Sequence, residues 1–366
     1  MNKKERFLTA VRREVPDIVP VSPLIHDRFA YTVLRRAGWR AVFQVHQIVG
    51  SIYFRGPTGK GWRVEWSEGF STSTVTKEKD GKTLVEHWIK TPIGPLRQID
   101  VVGFNPQDPV ASRTIEYLIK NEGDYEIYKA YVEEWIRRAK PDFTELVVAV
   151  ETMGNEGVAQ DSIGSAFSEL VSVRGVKETY MDLYVRPKTV EDVLKILWKK
   201  KEKEVEAFLD SPSEVLYYDV WGAFELSPKQ FERFVLPELK TATKLVRKVD
   251  GKYIGFYIVG KGLRKQLPMV VETRPHFIEP FELQSGVSLK EAKRLYGDKV
   301  CIMGNFDPVI LAFGSLEDVK KETIRCLEEG MENGGYVLVT GDEVPANAKL
   351  ENLIAIVRTV EKYGRY

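Results

Sequence analysis

VLYYDVWGAFELSPKQFERFVLP, residues 215–237, decides how the rest of the chain is read. It opens on the apolar run Val215-Leu216-Tyr217-Tyr218, long enough for a buried strand and too short for a helix. The run stops at Asp219, and Val220-Trp221-Gly222 sets a small residue beside a large aromatic, the pattern of a tight turn next to a pocket. Ser227-Pro228-Lys229-Gln230 then starts a helix: Ser227 caps free N–H groups, Pro228 suits the first helical position, and Gln230 reaches back to the cap. The stretch therefore reads strand, polar loop, helix, with an acid and an indole at the strand's carboxyl end.

The same rhythm extends in both directions. Strand-like runs occur at 145–151 (ELVVAVE), 215–220, 253–259 (YIGFYIV), 277–281 (FIEPF), 300–305 (VCIMGN) and 336–341 (YVLVTG). Helical patterns lie between them at 189–209, 228–249, 262–273, 288–296, 315–329 and 349–363. Strand–helix alternation predicts a parallel sheet. Residues 18–24 and one strand hidden within 39–54 bring the expected count to eight, which favours a (β/α)8 TIM barrel as one domain over residues 1–366. No glycine-rich dinucleotide fingerprint follows the first strand, which counts against an open doubly wound sheet. Residues 61–102 differ. They are rich in Thr, Val and Trp, with Lys79-Asp80-Gly81-Lys82 as a hairpin turn, and predict an antiparallel β insertion lying as a flap against the barrel mouth.

Composition excludes several classes of function. Lys and Arg number 54 against 53 Asp and Glu, so no charge excess argues for nucleic acid. No apolar run approaches a membrane span, and the N-terminal stretch MNKKERFLTAVRREVPD reads as an amphipathic helix rather than a secretory signal. The two cysteines, Cys301 and Cys326, lie in apolar surroundings, read as buried fillers and point to a reducing cytoplasm. Two cysteines and four scattered histidines make a zinc site of His and Cys alone hard to assemble.

In an eight-fold barrel, chemistry belongs to the carboxyl ends of the strands. That rule selects Asp219, Tyr257, Glu279 and Asp342 as catalytic candidates, and His26, Arg28, Glu151, Asn155, Trp221 and Asn305 as substrate-binding ones. Glu282, Asp307 and Glu343 stand on the same rim. So many carboxylates are costly unless solvated, protonated or paired with a cation. Plainer roles stand beside these: Asp219 as a loop cap, Trp221 as packing, Asn305 and Asp307 as supports of the seventh loop, and His26 as a structural histidine.

Three segments carry a resemblance. YYDVWGAFELSPKQFERFVLP, KRLYGDKVCIMGNFDP (293–308) and GDEVPANAKLENL (341–353) resemble, in order, characteristic segments of the uroporphyrinogen decarboxylase superfamily, and RGVKETYMDLYVRP (174–187) fits it as well. The resemblance implies a (β/α)8 barrel and one of two chemistries: cofactor-free decarboxylation of uroporphyrinogen, or methyl transfer involving a corrinoid protein, usually with zinc. The chain departs from both patterns. Where decarboxylases of this kind carry an arginine-rich segment that grips the substrate's carboxylates, this chain has Leu24-Ile25-His26-Asp27-Arg28-Phe29-Ala30-Tyr31, with one arginine. Where the methyltransferases have zinc ligands, it has Tyr257, Val259 and Asp342. The expectation is a methyltransferase acting on a small methylated substrate, with no tightly bound metal or cofactor and with a corrinoid carried by a partner protein. Carboxy-lyase activity, or a non-catalytic barrel binding a tetrapyrrole or corrinoid protein, are the alternatives. The oligomeric state stays open, a dimer included.

Overall fold

The computed structural model describes residues 1–54, 60–104 and 110–366. Its strands are β1 (Gly61–Val64), β2 (Ser71–Lys79), β3 (Lys82–Thr91), β4 (Gly94–Val102), β5 (Ser112–Glu116), β6 (Ala139–Asp142), β7 (Gln160–Gly164), β8 (Val215–Asp219), β9 (Tyr253–Ile258), β10 (Phe277–Pro280), β11 (Cys301–Met303) and β12 (Tyr336–Val337). β7 to β12 form one parallel sheet in chain order, and helices connect its strands. Two further segments join it through single bridges. Val21 bridges Leu338 in parallel, the Ile52 N–H donates to the Val21 carbonyl, and Tyr53 bridges Gly157 in parallel.

The sheet separates two apolar layers. Tyr218, Ile254, Phe256, Ile278, Ile302 and Tyr336 face the outer helices. Val215, Tyr217, Phe277, Cys301, Met303 and Val337 face the other way, alternating with them as strand geometry requires. That inner layer is filled from below by Phe7, Leu8 and Val11 of the first helix, Lys3–Val11. Each such side chain contributes about 1.5–3 kcal/mol on burial. Asn2 and Glu5 close a capping box that starts this helix where it can plug the sheet.

Two expected strands differ. Residues 145–151 lie in the helix Thr144–Met153, not in a strand. Leu146, Ala149 and Met153 are its buried positions, a helical spacing that the valine-rich run conceals. The strand that takes this place is β7, whose sequence Gln-Asp-Ser-Ile-Gly breaks any apolar run. Within 39–54 the structure has the helix Trp39–Val49, and only the last few residues reach the sheet. The expected helix 228–249 is two helices, Pro228–Phe234 and Leu236–Val246, because Pro237 cannot donate the N–H that a continuous helix needs.

The antiparallel insertion is present with shifted limits. β2 to β5 form a four-stranded sheet, and Asp80 and Gly81 take positive φ (50° and 70°) in the β2–β3 turn, as a two-residue hairpin demands. β1 pairs instead with β6. The insertion's apolar positions Ile89 and Leu96 join the outer core, and β3 and β4 contact the helix Glu122–Arg138. These contacts pack the sheet against that helix. A buried ion pair fixes Lys60 beside β1: Lys60 Nζ meets Asp161 Oδ2 at 2.9 Å, and the Lys60 N–H donates to Oδ1 at 2.9 Å.

Candidate active site

Asp219, Tyr257 and Glu279 stand in register, Asp219 opposite Tyr257 and Tyr257 opposite Glu279, across β8, β9 and β10. Adjacent strands are about 4.8 Å apart, so the three form one row. Strand parity puts the row on the inner face: Tyr217, two residues before Asp219, and Phe277, two before Glu279, belong to the inner layer, and Tyr257 packs against it. The rings of Tyr217 and Tyr257 lie 5.7 Å apart. Glu279 is buried, and Asp219 and Tyr257 are half-buried at the carboxyl ends of their strands.

Asp342, from the loop after β12, joins this row. The Tyr257 hydroxyl donates to Asp342 Oδ1 at 3.2 Å, and the same oxygen accepts the Glu343 N–H at 2.8 Å. Glu343 in turn faces His26 Nδ1 at 3.5 Å and Arg28 Nη1 at 3.8 Å. The sequence-predicted Asp219, Tyr257, Glu279, Asp342, His26 and Arg28 thus converge from five segments of the chain.

Asp219 also serves its own loop. Its Oδ1 accepts the Trp221 N–H at 2.8 Å, which sets the turn after β8. Ser168 Oγ donates to the Trp221 carbonyl at 2.7 Å, so the backbone is held while the indole remains 41% exposed on the rim.

Two expected binding residues, Glu151 and Asn155, lie elsewhere. Glu151 is exposed on the helix Thr144–Met153, and the Asn155 carbonyl accepts the Lys4 N–H of the first helix. Both precede β7 and sit at its amino-terminal end, because the run 145–151 is a helix that leads into the strand. Asn305 is buried after β11, with Oδ1 accepting from Arg325 Nη2 at 3.0 Å. Arg325 also pairs with Glu322 and Glu329, and Asp307 caps the helix Pro308–Phe313, so Asn305 and Asp307 support their loop.

One acid and one lysine of the site, Glu225 and Lys261, were not selected from sequence, and they stand beside Glu282, which the rim rule had named. Burial raises the Glu282 carboxyl above its ordinary value, and the charges of Asp342 and Glu225 add to this, partly offset by Lys261. Glu225 Oε1 accepts the Lys261 N–H at 3.1 Å, which ties the loop after β8 to the loop after β9. Glu282 stands only three residues past Glu279, and the bend at Pro280-Phe281 that turns it toward Asp342 has no periodic signature in the sequence.

The zinc positions of the resembling methyltransferases offer a hydroxyl committed to a carboxylate (Tyr257 to Asp342) and the side chain of Val259, which has no donor atom. Among the described residues, no group of three His, Cys, Asp or Glu side chains is arranged to hold a metal ion. Both cysteines are buried, and burial pushes each thiol up to about 12, far from a thiolate ligand.

Comparison with known proteins places the chain's relatives. The family model described as uroporphyrinogen decarboxylase (URO-D) matches residues 160–363, from β7 to the last helix. The uroporphyrinogen decarboxylase of Thioalkalivibrio sulfidiphilus is 26% identical over 203 residues, 55% of each chain. That of Aromatoleum aromaticum is 28% identical over 184 residues, 50% of each chain. The chain thus spans about half the length of the curated relatives it matches. Among solved structures, a methyltransferase from Methanosarcina mazei superposes with a TM-score of 0.65 at 16% identity, over 99% of both chains. A B12-independent methionine synthase from Shewanella sp. W3-18-1, in complex with selenomethionine, gives 0.53 at 11% identity over 94% of this chain and 98% of that one. These two likenesses concern the fold.

Proposed function

Because the chain belongs to the uroporphyrinogen decarboxylase family, whose members are enzymes, we propose that it is a methyltransferase-like member acting on a small, cationic methylated substrate at the carboxyl ends of its strands. The observation that carries this reading is the acidity of the site: Asp219, Glu279, Glu282, Asp342 and Glu225 converge there, and His26 and Arg28 face Glu343. Such a site repels a polycarboxylate and attracts an ammonium- or sulfonium-type donor. The family's fold partner from Methanosarcina mazei, a methyltransferase, supports the same direction. The single bridges at Val21, Ile52 and Tyr53 support reading the sheet as a closed eight-stranded barrel around this site.

In this reading Asp219, Glu279 and Asp342 bind and orient the donor's positive head. Tyr257 holds Asp342 in place, and the cationic donor departs as a neutral amine or thioether, so its heteroatom needs no proton. In methyl transfer the bond from carbon to the heteroatom breaks, and its electron pair stays on the heteroatom. A corrinoid carried by a partner protein would supply the nucleophile that accepts the methyl group. The residues at the zinc positions do not suit zinc, so no step is assigned to a metal. Among the described residues no helix is long and apolar enough to cross a membrane, and a cytoplasmic setting fits the two buried free thiols.

The test incubates the protein with methylated amines and sulfonium compounds, each with a reduced corrinoid, and follows donor demethylation by NMR. Demethylation that Asp342→Asn abolishes supports the proposal. Turnover of uroporphyrinogen, the reaction for which the curated relatives are named, would overturn it in favour of a decarboxylase.

A further inference from the structure

The opposite end of the sheet carries a different feature. Arg13 follows the first helix, Arg247 precedes β9, Arg274 precedes β10 and Lys299 precedes β11. The last three therefore stand at the amino-terminal ends of their strands, and Arg13 joins them from the end of the first helix. They line one cleft of about 630 Å³, together with Tyr296, Val271, Pro268 and a single acid, Glu272.

Among the described residues, no carboxylate lies within ion-pair distance of Arg13, Arg247 or Arg274. Their recorded partners are backbone carbonyls: Arg13 Nη1 donates to Asp298 and Arg247 Nε donates to Arg274 at 2.5 Å. These bonds aim the guanidiniums and neutralise none of them. Their mutual repulsion is felt locally: burial, then the charges of Arg13 and Arg274, lower the Arg247 guanidinium's hold on its proton. Burial, followed by Arg247 and Arg13, pushes neighbouring His276 down to about 4. Arg13 and Arg274 also hold positive φ, 65° and 62°. That conformation disfavours a long side chain and suits Gly or Asn, and such strain gathers at functional sites. In a chain whose charges balance at 54 to 53, three unneutralised arginines around one cleft, two of them on strained backbone, are an arrangement that stability alone does not favour. The adjoining cleft beyond Arg13 differs, since Glu328, Glu329, Glu332 and Asp298 balance its basic residues.

We propose that this cleft binds a phosphate-bearing small molecule, with Arg13, Arg247 and Arg274 gripping the phosphate oxygens and Tyr296 and Val271 lining the space for its organic part. Guanidinium forks match phosphate oxygens in pairs, and the volume falls in the range of small-molecule sites, about 300–1,000 Å³. The site lies at the end of the sheet away from the acidic row, so its ligand acts on stability or regulation and not on the methyl group. The proposal stands independently of the assignment of the reaction.

The test measures binding of inorganic pyrophosphate and of adenosine diphosphate to the full chain by calorimetry and thermal shift, with sodium chloride at matched ionic strength as control. Binding of both at millimolar concentration or better, with a thermal shift that chloride does not reproduce, is expected. Tighter binding of adenosine diphosphate shows that Tyr296 and Val271 contribute. The variant R13Q/R274N, in which asparagine keeps the positive φ at 274, should fold and bind at least tenfold more weakly. Absence of binding, a shift equal to that of chloride, or undiminished binding in the folded variant overturns the proposal.

Discussion

The Tyr257 hydroxyl donates to Asp342 Oδ1 across 3.2 Å, joining a strand in the middle of the parallel sheet to the loop that leaves its last strand. A sequence separation of 85 makes this a tertiary contact. If it orients the carboxylate for the donor, Tyr257→Phe should leave the fold intact and weaken turnover about tenfold, mostly through KM, since one hydrogen bond to a charged group is worth about 1.5–3 kcal/mol. Asp342→Asn removes the charge itself and should cost more. Steady-state kinetics on both variants, with far-UV circular dichroism as the folding control, decide it. Equal activity of all three proteins would remove the pair from the site.

Asp219 has two duties that substitution can separate. Asparagine keeps an oxygen for the Trp221 N–H and loses only the charge, while alanine loses both. Asp219→Asn should hold the urea midpoint near that of the parent and lower activity at least tenfold. Asp219→Ala should lose the activity and also about 1 kcal/mol of stability, the usual cost of a lost cap. Full activity in the asparagine variant would reduce Asp219 to a loop residue.

The sequence disclosed the rim better than the interior. The apolar runs of β8, β9 and β10 are buried on both faces, so their ends could be read and the row Asp219–Tyr257–Glu279 follows from strand ends alone. β7 carries Asp161 toward the outer layer, where Lys60 pairs with it, so its pattern is polar and it escapes notice. The valines of 145–151 suggest a strand by composition, while the burial of Leu146, Ala149 and Met153 is helical. That single exchange carried Glu151 and Asn155 to the wrong end of the sheet. Glu225 was obscure for another reason: loop geometry, not periodicity, brings it near Glu282.

Glu238 makes stability depend on pH. It lies in the helix layer, bonded to the Tyr218 hydroxyl and the Ala166 N–H, and burial pushes its carboxyl up to about 7 from an ordinary 4.5. The folded protein therefore keeps a proton that the unfolded chain releases above 4.5. Its contribution is complete below pH 4.5 and declines through pH 7, by up to about 3 kcal/mol. Glu238→Gln should remove this part of the slope, so that the difference in urea stability between variant and parent shifts in the variant's favour from pH 4.5 to 7. A difference independent of pH would show that Glu238 is ionised throughout.

Lys60 and Asp161 form an ion pair with side chains 2% and 0% exposed. Removing one partner strands the other charge away from water, so Asp161→Asn should lose about 3–5 kcal/mol. Replacing both, as Lys60→Met with Asp161→Leu, should recover much of that loss, because two apolar groups carry no desolvation cost. Urea unfolding of the single and double variants measures the coupling. A double variant no more stable than the single would mean that the bond from the Lys60 N–H to Asp161 carries the stability instead of the charge pair.

Metal removal separates this chain from zinc-dependent methyl transfer. Zinc prefers thiolate sulfur and imidazole nitrogen in a closed shell. The corresponding positions supply Tyr257, Val259 and Asp342, of which valine has no donor atom, the tyrosine hydroxyl is spent on Asp342, and one carboxylate alone holds the ion weakly. Cys301 lies in the inner layer among Phe277 and Met303, and burial keeps its thiol protonated to about 12, so it does not substitute. Protein purified without chelator should carry well under one equivalent of zinc, and extended dialysis against a chelator should leave both its melting temperature and its activity toward a methylated donor unchanged. The acceptor in that case is something other than a zinc-bound thiolate. One equivalent of zinc per chain, lost together with activity on Asp342→Ala, would show instead that loops around Asp342 and Glu282 close on a metal, and the acidic row would then have to be read as its ligand field.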